Sequence, residues 1–303
     1  NRRVHYAWVI VAVASAMWVT SSSIRFAISL LVPELQDPTR PFGWSYFSIA
    51  LAFTLQWTLS GVLSPIAGWL GDRYGVRKIM VVGAVLFIAG MLLTGVMTNL
   101  WQFLFYFGVL LGASMAIFQV SLITGVTLWF GRHLGLAIGL LQGFQGLGTV
   151  LAIAMVFVLF TSLGWRWTFW VPGLAGGAVL LLLIGLFHNE PAEIGLRRFG
   201  DDDAQPIRYL QNNNLSKIRT KIFLEHAQKT SAFWNLVGIH FWGCAGHNVI
   251  LIFLVAMAEG QGVSQGMAAA IYATMTAVST ITRFAVPVVS DRVGSKIAMA
   301  VCF

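Results

Sequence analysis

The stretch GWLGDRYGVRK, residues 68–78, recurs in shortened form as SDRVGSK at residues 290–296. Both copies lie between long apolar runs, and they share one register, because Asp72 and Asp291 are 219 positions apart. The same offset relates six residue pairs without a gap, namely Asp72 and Asp291, Arg73 and Arg292, Gly75 and Gly294, Arg77 and Lys296, Gly43 and Gly262, and Ser45 and Ser264. This register predicts a duplicated structural unit.

Apolar runs dominate the chain around these motifs. The sequence is 57% hydrophobic and 10% charged, with a mean hydropathy of +0.78, whereas a soluble domain is about 45–50% apolar and about 25% charged. Runs of about 19 to 30 residues are each long enough to cross a hydrocarbon core of about 30 Å as a helix. We expect eight spans and the start of a ninth near residue 297, the eight covering residues 7–31, 46–70, 79–97, 100–130, 134–160, 169–187, 233–257 and 265–289.

Basic residues are unequally distributed between the two sides of these spans. Fifteen of the 19 Lys and Arg residues fall in the N-terminal segment and in alternate loops, two fall in the other loops, and Arg25 and Arg283 lie inside spans. This asymmetry predicts a multi-pass cell-membrane protein, as in a bacterial inner membrane, with its N-terminus and both motif copies in the cytoplasm. The net charge of +8 is therefore a topology signal, and the expected partner is the lipid bilayer, not nucleic acid.

One long polar stretch divides the chain. We expect a six-helix bundle over residues 1–188, a cytoplasmic linker over residues 189–231 and a partial second bundle over residues 232–303. Within the linker, residues 215–228 mix apolar and basic side chains, which indicates either a short helix on the anionic inner leaflet or a disordered segment. Because the chain starts without Met and ends inside the ninth run, we expect it to be part of a longer protein.

Duplicated helix bundles are typical of secondary transporters, and the motifs resemble those of one such family. A G-x-L-x-D-R-x-G-x-R-K loop after the second span, with a weaker copy after the eighth, is similar to the signature of the major facilitator superfamily. Pro287 departs from that pattern, because it stands where Gly68 stands in the first copy. The segments WFGRHLGLAIGLLQGFQGLG, residues 129–148, and NEPAEIGLRRFGDD, residues 189–202, resemble those of oxalate/formate antiporter and monocarboxylate transporter relatives.

This resemblance implies an all-α polytopic membrane protein with the major facilitator fold. Its N-terminal six-helix bundle is expected to be complete, and its C-terminal bundle is expected to be truncated in the ninth span. The resemblance also implies transport by alternating access.

Arg283 is the first candidate for a substrate-binding residue. A charge at mid-membrane costs roughly 2.5–3.5 kcal/mol on insertion scales, and Arg283 lies eight residues, about 12 Å of helix, before Asp291. Tyr272, Thr276 and Ser279 share its helix face. The resemblance implies that this arginine binds the carboxylate of the substrate. The alternative is an arginine that pairs structurally with a neighbouring helix.

Other polar residues within spans are secondary candidates for substrate contact. They are Arg25 in the first span, Gln119 in the fourth, Gln142 and Gln145 in the fifth, and His240 and His247 in the seventh. Arg25 either lines a cavity or reaches the outer interface, and the glutamines are either substrate contacts or helix-to-helix hydrogen bonds. The histidines favour polar packing, substrate contact or proton coupling over a metal site, because no carboxylate lies nearby. We expect no metal and no cofactor.

The acidic residues narrow the class of substrate. All eleven lie in loops or at span ends, so the spans offer nothing that would neutralise a cationic solute. Embedded arginines without acidic partners favour an organic anion, because guanidinium pairs with carboxylate through two parallel hydrogen bonds.

The predicted function is secondary active transport of a small mono- or dicarboxylate, coupled to protons or to a counter-substrate. The alternative is a facilitator or exporter of a neutral or drug-like solute. A membrane enzyme would need a catalytic cluster, and the sequence has no HExxH helix and no nucleophile elbow, so we expect no enzymatic activity.

The repeated motif has a separate predicted role in gating. Its candidate residues are Asp72, Arg73, Gly75, Arg77, Asp291 and Arg292. Asp72 is expected at the start of the third span, where the helix dipole favours a carboxylate, and the adjacent cations are expected to pair with helix ends. The resemblance implies a latch that holds one access state. The alternative, a simple stop-transfer turn, does not account for the second copy.

Overall fold

The fold is almost entirely helical in a computed structural model that describes residues 5–37, 39, 42–201, 207, 222, 225–294 and 296–298. Within these ranges the side chains of residues 23–29, 240, 244, 247, 248 and 251 are not described. The long helices of this part of the chain are α1 (Tyr6–Ala27), α2 (Tyr46–Tyr74), α3 (Val76–Gly95), α4 (Leu100–Trp129), α5 (Leu134–Leu163), α6 (Trp167–Leu186), α7 (Ser231–Gly260) and α8 (Gln265–Val293).

Length and composition mark six of these described helices as candidate membrane spans. Helices α2 to α6 and α8 are each long and apolar enough to cross a bilayer, and α1 and α7 have 22 and 30 residues. Large apolar side chains point outward, and Trp101 and Leu182 are 80% and 73% exposed. Such a surface suits a lipid environment, since a soluble protein exposes few contiguous apolar patches. The chain is an all-α polytopic membrane protein.

Several predicted span boundaries differ from the structure by a few residues, and two of the differences have clear local reasons. The first span was expected to reach residue 31, but α1 ends at Ala27 and a 3-10 turn, Ile28–Leu31, follows it. The second was expected to end at residue 70, but α2 continues to Tyr74, and Gly75 alone separates it from α3. Gly75 has a φ of 92°, a conformation that glycine adopts without strain. Its amide still donates to Gly71 O at 2.9 Å, which allows this one-residue junction.

The internal repeat is visible in the backbone. Ser45 and Ser264 cap the first turns of α2 and α8, and their hydroxyls accept from Ser48 N at 3.2 Å and Met267 N at 3.4 Å. At the other ends of these helices, Gly75 and its counterpart 219 positions later have φ values of 92° and 89°. The duplicated sequence therefore builds α2 and α8 with the same beginning and the same end.

Both motif copies lie at one end of the bundle, which we call the motif end. Arg77, just after the α2–α3 junction, donates from Nη2 to Gly185 O at 3.0 Å near the end of α6. Trp129, at the end of α4, donates from Nε1 to His188 O at 3.1 Å beyond α6. Gly135, at the start of α5, donates to Asp291 Oδ2 at 2.9 Å near the end of α8. These contacts join both motif copies to the same set of helix ends.

Helix α5 packs closely against α8 along a row of glycines that the sequence spaces four apart. A Cβ at Gly135 would lie 2.5 Å from Pro287 O, and one at Gly139 would lie 2.8 Å from Phe284 O. Such distances leave no room for any side chain, so the two backbones are in direct contact. The row of small residues therefore holds α8 against the first six helices.

The first part of the predicted linker is ordered and packs on the motif end. Phe199 N donates to Trp129 O at 2.8 Å, and Gly131 N donates to Phe199 O at 2.9 Å. Arg198 Nη2 donates to Phe130 O at 2.6 Å, at the C-terminal end of α4 where the helix dipole favours a cation. The predicted basic segment over residues 215–228 lies largely outside the described residues.

Candidate functional site

The Arg283 side chain lies within the membrane-spanning part of α8 and is partly buried. Its Nη1 donates to Gln145 Oε1 on α5 at 3.0 Å, and its Nε donates to Ser279 Oγ, one turn earlier on α8, at 3.2 Å. Gln145 Nε2 in turn donates to Ser22 Oγ on α1 at 3.4 Å. A polar chain of four residues, Ser22, Gln145, Ser279 and Arg283, thus crosses three helices, and we call it the Arg283 chain.

The Arg283 chain is at least partly buried throughout, and the partners of its cation are neutral. Gln145 and Ser22 are buried, and Thr149 Oγ1 donates back to Gln145 O at 3.0 Å within α5. In the described part of the chain, no acidic side chain forms an ion pair with Arg283. Burying a charge is costly unless it is paired with an opposite charge. The two neutral oxygens satisfy donors but leave the charge of Arg283 uncompensated within the described structure.

The other predicted residues of α8 extend the same face. Tyr272 and Thr276 are buried on the side of Arg283 away from the motif end. Thr276 Oγ1 donates to Tyr272 O at 2.9 Å, so its hydroxyl is satisfied within its own helix. This arrangement agrees with a common polar face on α8.

The remaining candidates do not join the Arg283 chain in the described structure. Gln142 is partly buried on α5 and Gln119 is exposed on α4, and neither forms a hydrogen bond with a described residue of that chain. Arg25 lies on α1, and His240 and His247 lie on α7, but these three side chains fall outside the described ones. No group of three His, Cys, Asp or Glu that would hold a metal occurs among the described residues.

The motif residues take up distinct positions at the motif end. Asp291 caps the first turn of α5 through Gly135 N, where the helix dipole favours a carboxylate. Arg77 reaches Gly185 O near the C-terminal end of α6, where the same dipole favours a cation. Gly75 forms the junction between α2 and α3.

Asp72 corrects the expectation for the first motif copy. It was expected at the start of the third span, but it is exposed in the last turn of α2, where the helix dipole does not favour a carboxylate. Arg73 is also in that turn, with its guanidinium 5.4 Å and 5.5 Å from the rings of Trp69 and Tyr74. Arg292 is exposed in the last turn of α8. Of the two motif aspartates, it is therefore Asp291, and not Asp72, that contacts another helix end in the described structure.

Gln56 is a buried polar residue that the sequence analysis did not single out. Its Nε2 donates to Phe107 O at 3.2 Å, within the π-helical segment Leu104–Leu110 of α4. Its Oε1 is buried without a hydrogen-bond partner in the described structure. The only signal in the sequence was a glutamine inside an apolar run, which does not distinguish this helix contact from a binding role.

Long membrane helices, an internal repeat and a partly buried cation within a membrane helix are typical of a polytopic membrane transporter. Residues 10–303 match the model of the Major Facilitator Superfamily. The chain belongs to this family. The family consists of transporters, and the matched region includes helices α2 to α8 and all but the first four residues of α1.

Individual relatives support the same family. The chain is 28% identical over 276 residues to monocarboxylate transporter 11 of Mus musculus, covering 90% of this chain and 56% of the mouse protein. It is 26% identical over 230 residues to the aspyridones efflux protein apdF of Emericella nidulans, covering 76% of this chain and 42% of that protein. The chain thus spans about half the length of these relatives.

A solved structure supports the fold. A double Trp mutant of XylE superimposes with a TM-score of 0.67 at 18% identity, covering 95% of this chain and 70% of the XylE chain. A second XylE structure, described as a proton:xylose symporter bound to 6-bromo-6-deoxy-D-glucose, gives a TM-score of 0.65 at 16% identity. At this identity the likeness establishes the fold alone.

Proposed function

We propose that this protein transports a small organic carboxylate across the cell membrane by alternating access, with Arg283 as the residue that binds the carboxylate. The observation that carries the proposal is the guanidinium inside α8, whose acceptors in the described structure are the neutral oxygens of Gln145 and Ser279. A carboxylate would supply both the charge and the paired acceptors that this group lacks.

The relatives are consistent with this proposal. Monocarboxylate transporter 11 of the mouse is named for a monocarboxylate and aligns with most of this chain. XylE is described as a proton symporter, which makes a proton gradient the first coupling source to test. The candidate contacts beside Arg283 are Tyr272, Thr276, Ser279, Gln119, Gln142, Gln145, Arg25, His240 and His247.

The proposed orientation follows from the basic residues. With the N-terminus and the motif end in the cytoplasm, the contact of Asp291 with the start of α5 closes the cytoplasmic side. A change of access then requires the ends of α5 and α8 to separate. The gating role is proposed for Asp291 first, together with Asp72, Arg73, Gly75, Arg77 and Arg292.

A second candidate function is export of a neutral or drug-like product. The similarity to the aspyridones efflux protein favours it. It differs from the first in one testable respect, because transport of an uncharged solute does not need a cation at position 283.

Counterflow in proteoliposomes distinguishes the two functions. The full-length protein is assayed with lactate, pyruvate, oxalate and succinate, alongside Arg283→Gln and Arg283→Lys. We expect the preferred anion to be transported by the wild type, weakly by the Lys variant, which keeps the charge but loses the paired donors, and not by the Gln variant. The matched control is Arg166→Gln, which removes an exposed arginine that stacks on Trp165. Wild-type transport by Arg283→Gln would assign the arginine a structural role and favour the second function.

A further inference from the structure

The guanidinium of Arg283 is only partly occupied by protein acceptors. Nη1 donates to Gln145 Oε1 and Nε donates to Ser279 Oγ, while Nη2 has no acceptor among the described residues. A carboxylate binds a guanidinium best through two parallel hydrogen bonds from two adjacent nitrogens. Each of Nη1 and Nη2 carries two N–H donors. An anion that pairs with Nη2 and with the Nη1 N–H now donated to Gln145 therefore has to displace the Gln145 oxygen.

We infer, on the basis of the proposed function, that Gln145 is a positioning residue that stands in for the substrate. Its amide oxygen occupies one carboxylate position while the site is empty, holds the guanidinium in place, and is displaced when the anion binds. Buried glutamine is suited to this task, because its oxygen satisfies the donor without neutralising the charge. The charge then remains available for the incoming anion.

The same amide connects the site to α1. Gln145 Nε2 donates to Ser22 Oγ at 3.4 Å, and that hydroxyl donates to Trp18 O at 2.7 Å. Displacement of the Gln145 amide therefore alters a contact between α5 and α1 at the moment at which Arg283 on α8 acquires its anion. A ligand shifts a conformational equilibrium only through contacts that differ between the two states. This exchange of acceptors is such a difference, and it involves helices from both repeated parts of the chain.

Three substitutions test this role in the full-length protein. Gln145→Glu places a carboxylate beside Arg283, and we expect it to compete with the substrate and weaken binding by about tenfold or more. Gln145→Met keeps the approximate volume but removes the amide oxygen, and we expect it to tighten binding by about tenfold, since no acceptor has to be displaced. Gln56→Glu is the matched control, because Gln56 is equally buried but donates to a backbone carbonyl and contacts no guanidinium.

The measurements are equilibrium binding of the preferred carboxylate and its exchange rate in proteoliposomes. If Gln145 has a purely structural role, both Gln145 variants should bind the carboxylate more weakly and also exchange it more slowly. If the Gln145 oxygen replaces the carboxylate in the empty site, Gln145→Met should bind the carboxylate more tightly but exchange it more slowly. Exchange is slower because the variant has no internal acceptor to assist release of the anion. We expect Gln145→Glu, but not Gln56→Glu, to raise the thermal unfolding temperature of the empty protein, because only the carboxylate introduced at position 145 would face a cation.

The outcomes separate this inference from the proposed function. If the wild type binds no carboxylate, the proposed function itself fails. If the wild type binds one, Arg283→Gln abolishes binding, and Gln145→Met binds with equal or lower affinity, the stand-in role is overturned while the function stands. If Gln145→Glu does not fold, the affinity and rate of Gln145→Met still decide the question.

Discussion

Asp291 and Gly135 make the contact that holds the motif end of α8 against α5. The carboxylate accepts from the first turn of α5, where a negative charge contributes about 0.3–1 kcal/mol, and up to about 2 kcal/mol when partly buried. Asp72 makes no equivalent contact with a described residue, and it is exposed. At the scale of single residues, the proposed closure of the motif end would therefore rest first on Asp291.

Asp291→Asn is expected to open the motif end more often. The amide retains an acceptor but loses the charge, so we expect the population of the open state to rise by up to about fivefold. The measurement is the rate at which an impermeant maleimide labels a cysteine introduced at Ala137, a buried position near the start of α5. An unchanged labelling rate in Asp291→Asn would contradict a latch role for this carboxylate.

We expect His5 to make the stability of the motif end depend on pH. Its ring packs 5.5 Å from the ring of Phe199, and its Nδ1 accepts from Ala7 N at 3.2 Å. Burial lowers the pKa of His5, and a hydrogen bond with the Arg197 backbone partly opposes that effect. A histidine with a lowered pKa stabilises the fold fully above its unfolded pKa of about 6.5, and this stability is lost as the pH falls below that value.

The expected result is a lower thermal unfolding temperature at pH 5 than at pH 8, measured in detergent. His5→Phe retains the aromatic contact but cannot be protonated, so the difference between the two pH values should become smaller. An equal pH dependence in wild type and His5→Phe would exclude His5 as its source.

At the scale of helices, the α5–α8 contact depends on the absence of side chains. A Cβ at Gly139 would lie 2.8 Å from Phe284 O, a backbone atom that cannot rotate away. We expect Gly139→Ala to destabilise the protein by about 1–3 kcal/mol, the usual cost of overpacking. The control is Gly61→Ala in α2, where nothing lies within 4 Å of the added Cβ.

Thermal unfolding of the two alanine variants tests this packing. The control should be as stable as the wild type or slightly more stable, because alanine is the better helix former by about 0.5–1 kcal/mol. If both variants unfolded at the same temperature, the close approach of α5 and α8 would not contribute to stability.

The helices were predictable from the sequence because each is a long apolar run. The end of α2 was not predictable, because its last turn is polar and the one-residue junction at Gly75 depends on a backbone conformation. The depth of Arg283 followed from residue spacing alone. Its bond to Gln145 did not, because the rotation of α5 relative to α8 is set by packing and not by either helix alone.

At the scale of the whole molecule, the repeat relates the two parts of the protein that move against each other in the proposed alternating access. Helices α2 and α8 begin with matching serine caps and end with matching glycines. The Arg283 chain lies between these parts, and the Asp291 contact joins α8 to α5 at the motif end. A solute bound at Arg283 would contact helices from both parts, as alternating access requires.

The central claim is that Arg283 supplies the positive charge for a carboxylate, and equilibrium binding tests it most directly because it does not depend on turnover. Labelled lactate, pyruvate or oxalate, whichever the wild type transports best, is titrated into the purified full-length protein and into Arg283→Gln, with Arg166→Gln as the control. We predict saturable binding by the wild type and by the control, and loss of binding by Arg283→Gln. Binding of the anion by Arg283→Gln with wild-type affinity would contradict the account.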